Sequence, residues 1–189
     1  MSVRCFISVD VDDPIILDEL VRFQAVLKRT GADVKCVKRE NIHLTLRFLG
    51  DVRQGLLRQL SNLVEEAEFD PFRMELRGIG AFPNLRRPRV VWVGLTEGAD
   101  ELSRIFNDLD ADLTELGFRP ESRGFSPHIT LARVRSGRNK AQLVEQLMMH
   151  ADDGFGGSLV ESIRLKKSVL TPRGPIYSII AESPSPGST

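Results

Sequence analysis

The sequence predicts an α+β fold in which one strand-helix-strand-strand-helix-strand unit is used twice around a shared groove. Stretches of polar-apolar alternation, the signature of a half-buried strand, are interleaved with stretches of helical period in the same order in both halves. A tetrapeptide of one design also recurs, as His43, Leu44, Thr45, Leu46 and as His128, Ile129, Thr130, Leu131. Val3 stands 40 residues before His43 and Val90 stands 38 before His128, so the two motifs hold the same place in the two copies.

Each element has a local reason. Residues 3–9 form an apolar strand, and 14–30 a helix with Pro14 suited to its first turn and Gly31 to its end. Residues 34–38 and 42–49 read as strands. After a break at Gly50 and Asp51, 52–67 is an amphipathic helix and 72–79 a strand. The second copy begins with the strand 90–95 and the helix 100–116, ended by Gly117. A short extended piece near Phe118 leads to the strand 127–134 and the helix 139–150, followed by the strands 159–170 and 176–181. The expected organisation is one domain over 1–182, with approximate halves 1–85 and 86–182. A Ser, Pro and Gly-rich tail at 183–189 cannot build a core and is expected to be flexible.

Composition sets outer limits. The chain has 189 residues, 41% hydrophobic and 28% charged, which excludes a disordered or fibrous protein. Lys plus Arg and Asp plus Glu both number 26, so no global field gathers nucleic acid, and any anion site must be local. The apolar run 3–9 is too short to span a bilayer and lacks a small-residue cleavage site, so a cytoplasmic location is expected. Cys5 and Cys36 lie in strand-like segments without metal-ligand spacing and read as buried, reduced thiols.

Alternation along a strand places the His and Thr of each motif on one face and the two apolar residues on the other. Two such strands on opposite walls of a groove present two imidazoles and two hydroxyls to one ligand. That set suits in-line displacement at phosphorus, where the attacking and the leaving oxygen each need a proton handled. Histidine can be acid or base near neutrality, and threonine hydroxyls can donate to the equatorial phosphate oxygens. The reactive nitrogens are then expected about 6 to 9 Å apart. The scheme needs no metal and no cofactor, since neither His has a carboxylate or thiol close by on its strand face.

The stretches 41–50 and 125–133 resemble the two signature motifs of the 2H phosphoesterases, with Phe48, Leu49, Gly50 after the first His-x-Thr-x and Ser126, Pro127 before the second. Within them the chain is most similar to the RNA 2′,3′-cyclic phosphodiesterase branch, also called 2′-5′ RNA ligase, from about Val3 to Ala181. The resemblance implies a bilobal fold with antiparallel sheets, lobes that exchange strands and a central cleft. It implies hydrolysis of a terminal 2′,3′-cyclic phosphate on RNA to a 2′-phosphomonoester, and in some relatives the joining of tRNA halves through a 2′-5′ linkage. It casts His43 as proton donor, His128 as acceptor, and Thr45 and Thr130 as phosphate-binding hydroxyls. The near-symmetric motifs do not by themselves decide which His is the acid.

Neighbouring residues carry weaker expectations. By strand parity Arg47 shares the His43 face as a cleft or rim cation. Phe48 falls on the opposite face, reading as core or as a base-stacking platform. Arg133 is also opposite by parity, although strand twist can return its guanidinium to a phosphate. Trp92, between Val91 and Val93, reads as packing, and His150 as a helix-end cation. Arg86, Arg87 and Arg89 form a basic loop that either grips an RNA backbone or is a solvated turn. The expected partner is RNA with a 2′,3′-cyclic phosphate end, bound by a monomer and without a membrane. Two further readings use the same groove: a phosphodiesterase for a small cyclic nucleotide such as ADP-ribose 1″,2″-cyclic phosphate, and a nucleotide-binding module without turnover.

Overall fold

A computed structural model describes residues 2–185. Nine strands and four helices follow one another as β1 (Ser2–Asp10), α1 (Pro14–Arg29), β2 (Val34–Cys36), β3 (His43–Arg53), α2 (Leu57–Glu65), β4 (Phe72–Phe82), β5 (Val90–Glu97), α3 (Ala99–Glu115), β6 (Ile129–Val134), α4 (Lys140–Met149), β7 (Gly154–Val160), β8 (Arg164–Thr171) and β9 (Gly174–Glu182). The strands form one sheet in the order β7-β4-β5-β6-β3-β1-β8-β9, with β2 also on β6, and every pairing is antiparallel. Chain order and sheet order differ in a telling way. Strand β4 of the first half sits between β7 and β5, while β8 and β9 of the second half extend the β3-β1 pair. The part formed by β7, β4, β5, β6 and β2 meets the part formed by β3, β1, β8 and β9 at one rung, Leu44 opposite Ile129.

Helix α1 shows how local sequence and packing agree. The Asp13 side chain caps it by accepting from the Ile15 N–H at 2.8 Å, Pro14 occupies the first turn, and Lys28 and Arg29 complement the dipole at its end. Ile16, Leu20, Phe23 and Leu27, spaced at helical period, are buried. Between them the buried Gln24 amide donates to the carbonyls of Val37 and Leu131, both at 2.8 Å, which ties the helix to the two motif-bearing regions. Leu44, Leu46, Ile129 and Leu131 all join the core, as alternation requires.

Several boundaries differ from the sequence reading. Strand β3 does not stop at Gly50 but continues to Arg53. The break signal there is a bulge at Leu49, because Cys5 pairs with Gly50 and Phe6 with Phe48, and Gly50 adopts φ 70°. Helix α2 consequently starts at Leu57, after a short 3-10 turn. The expected strand 159–170 is two strands, interrupted at Glu161, Ser162 and Ile163. Phe118 forms no strand among the described residues; its N–H donates to the Leu113 carbonyl and closes the end of α3. The tail expected from Ser183 begins with an anchored residue. Ser183 is buried, its N–H donates to the Ile163 carbonyl, and its hydroxyl accepts from the Ile163 N–H at 2.9 Å. Residues 186–189 lie outside the described residues.

Candidate active site

His43 opens β3 directly after a 3-10 turn at Arg39–Asn41. Its Nδ1 lies 2.8 Å from the Asn41 carbonyl, so Nδ1 carries the hydrogen and Nε2 bears the lone pair. Asn41 is itself buried and donates from its amide to the Pro175 carbonyl at 2.9 Å, which braces that carbonyl against β9. Thr45 Oγ1 is 3.0 Å from His43 Nε2 and donates to it in this tautomer. The imidazole is stacked on Phe6 at 5.0 Å and met edge-on by Tyr177 at 5.5 Å.

His128 is built the same way just before β6. Its Nδ1 donates to the Ser126 carbonyl at 2.7 Å, which again leaves Nε2 as the reactive nitrogen. Phe82 meets the ring edge-on at 4.8 Å, and Trp92 lies 6.3 Å away. With Leu44 opposite Ile129 in an antiparallel rung, His43 falls across from Thr130, and Thr45 across from His128. The two imidazoles therefore occupy a diagonal of the ladder, where such positions are about 7–8 Å apart. Histidine and threonine alternate around one patch of the cleft floor, as the paired tetrapeptides predict.

Beyond the motifs, strict parity fails, and at the same place in both copies. Ser8 pairs with Thr45 but Ile7 with Arg47, so Leu46 is an extra residue. Trp92 pairs with Thr130 but Val91 with Ala132, so Leu131 is the extra residue there. Each bulge, three residues after its histidine, reverses the later alternation. Arg47 is accordingly turned away from the cleft, contrary to expectation. It is buried, with Nε 2.8 Å from Asp110 Oδ1, NH1 3.2 Å from Glu121 Oε2, and a further hydrogen bond to the Arg119 carbonyl. Phe48 returns to the cleft face beside Phe6 at 6.4 Å and is 68% exposed, which overturns its reading as core. Arg133 holds the equivalent position after the second bulge and is exposed.

The groove has charged and aromatic walls that the motifs did not disclose. Alternation along β1 puts Phe6, Ser8 and Asp10 on one face, and Asp10 lies directly across from His43. Asp10 is bonded by both carboxylate oxygens to the buried ammonium of Lys166 and by Oδ2 to Arg164 at 2.7 Å. Burial alone would raise the Asp10 carboxyl, but Lys166 and Arg164 hold it below the usual carboxylate range. Continuing the β5–β6 register by one residue puts Gly94 across from His128, where β1 puts Asp10 across from His43. Trp92 sits on the His128 face rather than among the core valines, and its indole covers Gly80 and Gly94. A long-range pairing such as Asp10 with Lys166 leaves no local sequence signal.

Burial pushes His43 down to about 4; the Asn41 carbonyl opposes this, Lys166 adds to it, and Asp10 opposes it. Burial also lowers His128, against the Ser126 hydrogen bond. Both rings are neutral near pH 7 in the free protein. His150 follows the last turn of α4, 2.5 Å from Asp153, as the helix-end reading expects. Among the described residues no helix is long and apolar enough to cross a membrane.

The arrangement has counterparts among known proteins. The profile of the family described as LigT like Phosphoesterase matches the chain twice, over residues 11–92 and 93–177, once for each motif-bearing half. The chain belongs to this family. Members named RNA 2′,3′-cyclic phosphodiesterase include a protein of Aeropyrum pernix, 44% identical over 88% of this chain and 95% of the relative. One of Methanothermobacter thermautotrophicus is 42% identical over 94% of this chain and 96% of its own length. Among solved structures, TT0787 of Thermus thermophilus superposes with a TM-score of 0.79 at 30% identity, covering 95% of this chain and 96% of that one. Escherichia coli LigT complexed with 3′-AMP gives 0.78 at 25% identity over 96% and 97%. The duplicated α+β architecture of the LigT-like phosphoesterases is thus the architecture of this chain.

Proposed function

We propose that this LigT-like phosphoesterase hydrolyses the 2′,3′-cyclic phosphate at an RNA end to a 2′-phosphomonoester. The observation that carries the reading is the matched pair of imidazoles on one ladder diagonal, each with Nδ1 held by a backbone carbonyl and Nε2 turned to the same groove. His128 takes a proton from the attacking water as its oxygen bonds to phosphorus. The bond to the 3′ oxygen breaks, and His43 gives that oxygen its proton. Thr45 and Thr130 donate to the non-bridging oxygens, where charge gathers. The donor role needs an imidazolium at His43. The phosphodiester anion lodged between the rings favours the charged form and offsets the burial that depresses it in the free protein.

Asp10 lies opposite His43 and a glycine opposite His128, but Lys166, which pairs with Asp10, lowers the His43 imidazole more than Asp10 raises it, so the cation at His43 depends on the bound phosphate anion. Phe48 offers an exposed face for a nucleobase and Arg133 a cation for a phosphate. The same in-line step with an RNA 5′ hydroxyl in place of water forms a 2′-5′ linkage, which extends the reading to reversible joining of ends such as tRNA halves. The acting unit is a cytoplasmic monomer that uses no metal. The test is incubation with a nucleoside 2′,3′-cyclic phosphate and identification of the product. A 2′-monoester is expected, and an unreacted substrate or a 3′-monoester overturns the proposal.

A further inference from the structure

The cleft face of β1 carries one more residue beyond Phe6. Alternation along the strand gives Arg4 the same face as Phe6, Ser8 and Asp10, one row outward from the Phe6–Phe48 pair, and Arg4 is exposed. The pairings of β1 with β8 and of β8 with β9 carry this row from Arg4 through Ser168 to Tyr177. Tyr177 in turn reaches back to the site, its ring 4.8 Å from Phe6 and edge-on to His43. From the other wall the second bulge returns Arg133 to the cleft. Burial raises the Tyr177 phenol, while the charges of Arg133 and Arg4 pull it down.

Among the described residues neither Arg4 nor Arg133 is within salt-bridge distance of a carboxylate, although Asp51 is the cross-strand partner of Arg4. By contrast Arg47, Arg164 and Lys166, also near the motifs, are all neutralised. Two cations on the cleft face with no carboxylate partner, and a phenol with no side-chain hydrogen bond among the described residues, offer a cradle for an anion. A single nucleotide with its cyclic phosphate between the histidines supplies no second anion. A longer RNA end does, as the phosphodiester on the 5′ side of its last nucleoside.

We infer that Arg4, Arg133 and the Tyr177 hydroxyl form a second phosphate subsite that binds the phosphodiester preceding the terminal nucleotide, so the protein selects polynucleotide ends over mononucleotides. This rests on the cyclic phosphodiesterase reading of the His43–His128 groove. Charge-assisted, fork-like contacts to a phosphate are the strong class of hydrogen bond, and their loss shows as a change of substrate preference.

The test compares three substrates: a nucleoside 2′,3′-cyclic phosphate, a dinucleotide ending in the same cyclic phosphate, and that dinucleotide with an uncharged methylphosphonate linkage. For the unaltered chain, kcat/KM for the dinucleotide is expected to exceed that for the nucleoside by about tenfold or more, with the methylphosphonate close to the nucleoside. Arg4→Gln and Tyr177→Phe are each expected to shrink the dinucleotide-to-nucleoside ratio severalfold. A ratio taken on one preparation is insensitive to loss of folded protein. Turnover of all three substrates at one rate, or an unchanged ratio in Arg4→Gln, overturns the subsite and leaves the phosphodiesterase reading standing. Failure to turn over any of the three overturns that reading itself.

Discussion

Leu46 and Leu131 are the extra residues of two matching β-bulges, each three positions after a cleft histidine. Their shared position is a structural mark of the duplication that survives where residue identity has faded. The bulges also set the chemistry of the walls, because they decide which long side chains reach the groove. The Leu131 carbonyl, on the β2 side of β6, accepts from the Gln24 amide and the Val37 N–H, so the second bulge is tied down from two sides.

Substitutions at adjacent positions therefore separate by consequence. Arg47→Ala leaves Asp110 and Glu121 without their partner and is expected to cost about 3 kcal/mol of stability, with little change in KM. Phe48→Ala removes an exposed ring and is expected to leave the melting temperature nearly unchanged while raising KM about tenfold, within the range for loss of one stacked base. Thermal melts and steady-state kinetics on both variants check this. The reverse pattern would return Arg47 to the cleft.

Removal of either imidazole tests the division of protons. His43→Ala and His128→Ala are each expected to lower kcat on a 2′,3′-cyclic phosphate by about 10² to 10⁴ with the circular dichroism spectrum intact. Wild-type activity is expected to survive exhaustive treatment with EDTA. Retained turnover in one variant removes that residue from the mechanism, and activity restored only by a divalent ion calls for a metal site.

Strand alternation, the recurrence of the tetrapeptide and its placement in two copies were legible from residues alone, and they located His43, Thr45, His128 and Thr130 on the floor of one groove. Parity failed at Arg47 and Phe48 because a bulge is a property of two paired strands: Leu46 is an ordinary core leucine until its register against β1 is known. Asp10, Lys166 and Arg164 were missed for a related reason. Their ion pairs join β1 to β8 across more than 150 residues, a closure that no local pattern encodes. Gly50 shows the opposite error, a turn signal that in fact serves a bulge inside a continuous strand.

Burial of His43 links folding to pH. Its proton affinity falls from about 6.5 in the unfolded chain to about 4 in the fold, so between these values the unfolded state binds more protons. Stability is therefore expected to fall as pH drops from about 6.5 toward 4, by up to about 3 kcal/mol. Asp10, held below the usual carboxylate range, extends the loss to lower pH. Urea unfolding at pH 7 and pH 4.5 measures the difference. His43→Gln, which does not titrate, is expected to flatten it, and an equal slope in that variant assigns the effect elsewhere.

The same burial separates two rate profiles. In the free protein the donor is protonated only in acid, so kcat/KM is expected to decline as pH rises through the neutral range. With the phosphate anion bound the imidazolium is favoured, and kcat is expected to hold level to higher pH before it declines. Coincident alkaline limbs in the two profiles would mean that the substrate does not raise the donor, and would move the acid role away from His43.

Gly80 tests whether the aromatic wall positions His128. A Cβ built there falls 2.3 Å from Trp92 Cζ2, so even alanine forces the indole to move. The indole is confined, with Phe82 5.1 Å away and His128 beyond it, and it also covers Gly94. Gly80→Ala is expected to cost about 1–3 kcal/mol through overpacking and to lower kcat more than it raises KM, because the ring it displaces abuts a proton-transferring imidazole. Adding Trp92→Leu makes room for the new methyl. If the wall acts through space-filling, the double variant recovers part of the kcat lost in Gly80→Ala, although Trp92→Leu alone is slower than wild type. Strictly additive losses in this cycle would mean that Gly80 and Trp92 affect the site independently.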